Sequence, residues 1–303
     1  MPTHKYNIDY TTHKTVSFSQ YHLYSQCQHR WYLDYAKKLK TFQPSIHLTF
    51  GTSLHEVLQE YFRVMYTKSA KEADKLGFRQ MITTRMYENY KSDYQENNST
   101  HFTTRDEIYE FIEDGVAILE WFRKHRSAYF KVKDHELVGI EIPLQQSITP
   151  EIPNVILIGS IDLIIRNKVT NEYYIYDIKT SKSGWKDKDK KDQPKVNQVL
   201  FYKYFYSKEF NIPEDSINVE FFIVRRKIYE NAEFPIKRIQ EYKPTQGKIK
   251  VKKAYESLAE FVTNVFTPEG QYQEKEYPMN TKHCKWCPYS KKSDLCSKKI
   301  TTI

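Results

Sequence analysis

The chain has 303 residues and carries 47 Lys and Arg against 38 Asp and Glu, a net charge of +9 with a pI near 9.0. That length gives a real core to one large or two modest domains, and the basic balance favours a polyanionic partner, nucleic acid first, without specifying any chemistry. No apolar stretch approaches a membrane span, no secretory signal opens the chain and no GxxxxGKS/T phosphate loop is present, so the expectation is a cytoplasmic protein with no membrane contact and no visible ATP-driven motor.

In chain order, the first predicted element is a capped helix over residues 15–35. Ser17 and Gln20 fit a capping box there, with Ser19 as the other cap. A second box, Ser53 with Glu56, opens a helix on which Leu54, Leu58, Tyr61 and Phe62 follow helical spacing. Residues 105–126 form a third helix, with Ile108, Phe111, Ile112, Leu119 and Phe122 on one face. At His135 the pattern changes. Residues 137–144, 155–165, 173–179 and 219–224 read as strands, and a helix over about 195–206 separates the last two. Residues 246–266 read as another helix, followed by a polar, lysine-rich tail. No internal repeat is visible. Helices, then a β-rich core interrupted by one helix, then a helix and a tail favour a mixed sheet flanked by helices in one compact unit.

Two of these strands carry a single acid each among β-branched and aromatic residues: Asp162 in the second and Asp177 in the third. A carboxylate is costly in that setting and needs a partner, of which a divalent cation is the strongest. Lys179 stands two residues beyond Asp177, and two acids with a lysine suit metal-assisted phosphodiester hydrolysis. The bland alternative is that both acids merely end strands and cap turns. Asp189-Lys190-Lys191 also has the D-x-K form, inside a solvated lysine run, so the strand in front of Asp177 is what distinguishes it.

Cys284 and Cys287 form a C-x-x-C pair, Cys296 follows, and Cys27 stands alone near the other end. In a reducing compartment four thiols suggest a metal centre rather than disulfides, either zinc or an iron–sulfur cluster. The split of one plus three disfavours zinc, and the alternative is four unrelated thiols. Such a centre would close a very long loop and contribute strongly to stability. His55 falls in the first turn of its predicted helix, where the dipole disfavours a charged imidazole and leaves a good metal ligand. Gln198 and Tyr202 share a helix face, fit either to orient a phosphate or base edge or to sit as ordinary surface residues.

In this order the residues resemble the RecB-like branch of the PD-(D/E)XK nuclease superfamily, closest to its iron–sulfur members, the CRISPR-associated RecB-like exonucleases and AddB-type nuclease domains. The carrying positions are Cys27, His55, Gly159 with Asp162, Asp177 with Lys179, Gln198 with Tyr202, and Cys284, Cys287 and Cys296. The resemblance implies an α/β, restriction-endonuclease-like mixed sheet flanked by helices. It implies one nuclease unit over 1–303: an N-terminal segment (1–50), a helical part (51–134), a nuclease core (135–240), and a C-terminal helix with cysteine tail (241–303). His55, Asp162, Asp177 and the carbonyl of Ile178 would ligate Mg²⁺ or Mn²⁺, with Lys179 positioning water and stabilising charge. Gln198 and Tyr202 would help hold the site and the DNA strand, and Glu141 would be an accessory acid. The cysteines would hold a structural four-iron, four-sulfur cluster, with Zn²⁺ the lesser candidate. After the active strand, Lys182 and Lys186 would track the DNA backbone while Trp185 stacks on a base. The implied activity is a DNA exonuclease with single-strand preference in recombination, repair or end processing, of bacterial, viral or mobile-element origin, with a helicase or recombination protein as partner. The rivals are a non-catalytic nucleic-acid-binding scaffold and a structure-specific endonuclease or RNase.

Overall fold

β-branched residues line the middle of the chain in runs long enough to be buried on both faces, and they form the centre of the sheet. The computed structural model describes residues 6–228, 236–290, 292 and 294–296. Its elements are β1 (Lys14–Ser17), α1 (Phe18–Gln26), α2 (Gln28–Trp31), α3 (Ile46–Thr67), α4 (Ala70–Ala73), α5 (Phe78–Glu96) and α6 (Arg105–His125). There follow β2 (His135–Ser147), β3 (Val155–Asn167), β4 (Tyr173–Ser181), α7 (Asp187–Lys191), α8 (Gln193–Phe210), β5 (Ile217–Arg225), β6 (Ile239–Tyr242) and α9 (Lys248–Val265). The six strands make one mixed sheet in the order β1-β3-β4-β5-β6, with β2 paired to β3.

One feature of the register positions everything else. β2 runs antiparallel along β3 from Ile156 to Asn167, so the remaining partners of β3 share its other edge. There β1 takes Val155 to Ile158 in parallel, and β4 takes Leu163 to Arg166 antiparallel. Residues 159–162 lie between the two, at a fork where β4 leaves β3 and continues beside β5 alone.

Each face of the sheet buries its own core. Ile161, Ile164, Ile175, Phe221 and Ile223 pack with Phe201, Phe205, Leu258 and Phe261 from α8 and α9. Leu163, Ile165, Tyr176, Phe222 and Val224 pack with Leu54, Leu58, Phe62, Ile118 and Phe122 from α3 and α6. This is the expected helix-flanked mixed sheet.

Several boundaries differ from expectation. The helix expected over 15–35 is broken. Thr15 and Val16 pair in β1, Ser17 then caps α1 by accepting the Gln20 N–H, and extended Cys27 (φ −160°, ψ 110°) ends it. The predicted box at Ser53 lies inside α3, which starts at Ile46 under a Ser45 cap; Ser53 Oγ donates back to the Thr49 carbonyl instead. His55 therefore sits almost three turns into α3, beyond the reach of the helix dipole. The boundary at 50/51 falls within that same helix. The helix α5 was not foreseen because it buries only Phe78, Ile82 and Met86, a stripe too thin to stand out. β1 and β6, four residues each, were also missed; strands this short carry too little pattern to be seen without their partners.

Candidate active site

The fork in the sheet collects the acids. Asp162 is the last residue of the open stretch of β3, and Asp177 is the first residue of β4 beyond its pairing with β3. The Ile178 N–H, released from that ladder, donates to Asp162 Oδ2 at 2.7 Å. Glu141 faces them from β2 with a left-handed backbone (φ 53°), a conformation a non-glycine residue adopts only under constraint. From the other side α3 brings in His55, with Nε2 3.1 Å from Asp162 Oδ2 and Nδ1 3.6 Å from Glu141 Oε1.

His55, Glu141 and Asp162 are the only group of three or more His, Cys, Asp or Glu residues, among the described residues, whose ligand atoms lie within 4.8 Å of one another. His55 Nε2 is buried and, despite its closeness to Asp162, is not aligned for a hydrogen bond. Two ligands at right angles around an ion with bonds of 2.0–2.1 Å stand about 2.9 Å apart, so the pair is compatible with two donors sharing one cation. Burial works against a charged imidazole at His55, but Asp162, Glu141 and Asp177 outweigh it and raise its pKa.

Asp177 is 1 % exposed. Burial pushes its pKa up to about 6 against the pull of Lys179, and Asp162 adds to the rise. Lys179 Nζ lies 2.8 Å from Asp177 Oδ2 and 3.1 Å from Oδ1, and about a third of the lysine side chain remains exposed (34 %). Burial disfavours the ammonium here too, but Asp177 and Asp162 more than offset it, so Lys179 stays a cation. On α8, Gln198 Nε2 donates to the Tyr202 hydroxyl at 2.9 Å. The tyrosine ring borders Gly159 in the fork, and burial together with Asp177 and Asp162 holds its proton on.

Sequence reasoning missed two supporting residues. Gln59, one turn after His55, donates to Glu141 Oε1 at 2.7 Å, and Ser160 donates to Glu141 Oε2 at 2.6 Å. The spacing of Gln59 four residues from His55 was the available signal. Glu141 stands closer to the ligand set than an accessory role implies. It carried the same mark as Asp162, an acid among apolar strand residues.

The loop after β4 is different from expectation. Trp185 is 9 % exposed and packs its ring on Phe221 at 4.6 Å, with Lys195 Nζ 4.1 Å over its face. Its backbone is clamped to Gln240, whose Oε1 accepts the Trp185 N–H and whose Nε2 donates to the Trp185 carbonyl. Gly184 makes the turn with φ 92°, where a Cβ would strike Arg225 and Gln240. Trp185 thus belongs to the core and has no free face for a base, whereas Lys182 and Lys186 are exposed.

The four cysteines, far apart in sequence, line one narrow cavity of about 20 Å³ with His29, Arg30 and Tyr289 among its other walls and no carboxylate. Loop contacts join its two halves. Asn280 donates from Nδ2 to the Gln26 carbonyl and from its N–H to Cys27 Sγ, and Tyr289 donates to Asp34. Burial raises the Cys287 thiol pKa, and Cys27 and Cys296 add to this against Arg30. No three of the sulfurs approach within 4.8 Å of one another. Four sulfurs around one tetrahedral zinc, with Zn–S bonds of about 2.3 Å, would stand about 3.8 Å apart.

A model of the PD-(D/E)XK nuclease superfamily matches residues 15–292. The chain belongs to that superfamily. It is accordingly a metal-dependent nuclease, with DNA the substrate class that membership implies. Comparison with curated proteins gives no match. Among the described residues no helix is long and apolar enough to cross a membrane.

Proposed function

We propose that this nuclease is a Mg²⁺- or Mn²⁺-dependent DNA exonuclease of the RecB-like branch, preferring single strands and serving recombination, repair or end processing. The observation that carries the metal chemistry is the convergence of His55, Glu141 and Asp162, with ligand atoms within 4.8 Å of one another, beside the lysine-paired Asp177. His55, Asp162, Asp177 and the Ile178 carbonyl would hold the ion, with Glu141 as a further ligand. A divalent ion there supplies charge neutralisation at the phosphate and a more acidic water.

The remaining work falls to the chain itself. The Ile178 N–H fixes the orientation of Asp162, and Gln59 and Ser160 fix Glu141, so neither carboxylate must reorganise during the reaction. Lys179 presents an ammonium beside Asp177, where negative charge builds on the phosphorane oxygens. Gln198 and Tyr202 would border the site from α8, beside Gly159. Exonuclease action is supported by the ordered set of motifs from Cys27 to Cys296. The test is degradation of end-labelled single- and double-stranded DNA with Mg²⁺ or Mn²⁺ beside Asp177→Ala. A metal-dependent ladder absent from the variant establishes the activity and its direction. Binding without turnover under any divalent metal favours the scaffold reading.

The cysteines, on this reading, hold a four-iron, four-sulfur cluster of structural role. The gathering of all four cysteines around one cavity, with Arg30 beside them and no carboxylate among its walls, supports it. The cavity, about the size of one water, accepts a cluster only if its loops move outward. Brown protein with iron and sulfide after anaerobic purification is the expected result; colourless protein with stoichiometric zinc would overturn it.

A further inference from the structure

Next to the acidic fork, where β4 and β5 run out together, lies a second cavity of about 210 Å³ lined by His47, Phe50, Thr180, Ser181, Lys182 and Arg226. We propose that this cavity holds a second phosphate of the nucleic-acid strand, close to the one that is cleaved. The proposal rests on the nuclease reading and names a substrate contact which that reading leaves open.

The backbone builds the cavity. Thr180 pairs with Val224 and Ser181 with Arg225, and the Arg226 N–H donates to the Ser181 carbonyl at 2.8 Å. The first turns of α3 form the facing wall, so close that a Cβ on Gly51 would lie 3.1 Å from Thr180 Oγ1. Thr180 directly follows Lys179. Gly51 precedes His55 by four residues, about 6 Å along the helix. At about 3.4 Å per nucleotide of a stacked strand, the cavity lies roughly one or two nucleotides from the metal ligands.

Its chemistry is that of an anion site. No carboxylate lines it. Arg226 is 8 % exposed, with its guanidinium carbon 4.0 Å over the Phe111 ring and its Nη1 donating to Asp114 and Glu110. Those bonds fix the side chain and leave its buried Nε–H without an acceptor among the described residues. A buried donor without a partner calls for an explanation, and an absent acceptor is one. Arg226 and Lys227 are balanced by Glu110 and Asp114. Lys182, which forms no ion pair among the described residues, therefore supplies the uncompensated charge. Thr180 Oγ1 likewise makes no hydrogen bond among them. Lys182, Thr180 and Arg226 bring an ammonium, a hydroxyl and a guanidinium to one cavity, groups that match the several acceptor oxygens of a phosphate.

The phosphate has two sources, a terminal monoester or an internal diester, and oligonucleotides distinguish them. Binding of a labelled single strand is measured in EDTA, with inorganic phosphate as competitor, so the result stands whether or not the protein cleaves. Cleavage of the same strand is followed separately with Mg²⁺. Thr180→Val keeps shape and charge while removing the hydroxyl, and Lys182→Ala removes an exposed charge. Each is expected to weaken binding about three- to tenfold, the net worth of one ordinary hydrogen bond. Inorganic phosphate should compete with the wild type and lose that effect in the double variant. If stripping the 5′ or 3′ phosphate makes the wild type bind like the variants, the occupant is the terminal group. If the variants remain weaker on strands without terminal phosphates, it is an internal one. Wild-type binding by Thr180→Val, with phosphate competition unchanged in the double variant, would overturn the proposal.

Discussion

The acidic fork and the cysteine cavity hold donors of opposite character and are assembled in opposite ways. In the fork, secondary structure places every group: β2, β3 and β4 bring the acids, α3 the imidazole and α8 the tyrosine. Each carboxylate already has a partner in Ile178, Gln59, Ser160 or Lys179. In the cavity, cysteine side chains meet on segments from the two ends of the chain, joined by loop hydrogen bonds and by the packing of Trp31 and Tyr32 on Tyr277. The difference lies in what joins each site: paired charges on neighbouring strands and helices in the fork, and hydrogen bonds and ring packing between distant segments at the cavity.

The largest effect expected from this contrast is on catalysis without stability. Asp177→Asn should lower DNA cleavage by at least about 1000-fold, as losses of positioned charge do, while the thermal midpoint moves by no more than about 5 °C. Full activity in a folded variant would remove Asp177 from the mechanism. Chelation sharpens the point: EDTA should stop cleavage, Mg²⁺ or Mn²⁺ should restore it, and the melting curve should barely shift. The cavity should behave in reverse. Cys27→Ala is expected to lose bound iron and sulfide and to cost more than about 3 kcal/mol, since binding at such a site is folding energy. An unchanged melt and no metal in either protein would abolish the distinction.

Smaller effects test residues outside both sites. Trp185→Ala should cost about 3–5 kcal/mol as a core truncation, with DNA affinity per folded molecule unchanged; weaker binding at full stability would return Trp185 to the nucleic-acid surface. The mildest case is Glu220, a buried acid with no part in either site. Burial raises its pKa against the pull of Lys243, 3.0 Å away. The folded state therefore keeps its proton to a higher pH than the unfolded chain does. Stability contributed by this group is full below the unfolded value and falls as pH rises through the folded one. Glu220→Gln should flatten that slope and add up to about 1 kcal/mol at pH 7, read from urea melts across the acid-to-neutral range. A steeper slope in the variant would contradict the direction.

Much of this was legible in the chain. The four long strands, the helix carrying Gln198 and Tyr202 and the last long helix follow from runs of β-branched residues and from helical spacing, which are local properties. Asp162, Asp177 and Lys179 stood out because charge amid apolar strand residues demands a partner. Other features depended on packing. His55 was placed in a first turn because Ser53 and Glu56 imitate a capping box, while the contacts of Phe50 with Phe111 draw the helix back to Ile46. Trp185 sits in a lysine-rich stretch that reads as solvated, yet Phe221 and Gln240, remote in sequence, bury it. The sequence by itself determined which residues carry charge, thiol and β-branched bulk, because those are properties of single residues and their neighbours. Only the tertiary structure decided that β3 shares one edge between β1 and β4. That fork leaves residues 159–162 without a strand partner on that edge and lets Asp162, Glu141 and His55 converge beside Asp177, since strand pairing joins segments that no local pattern connects.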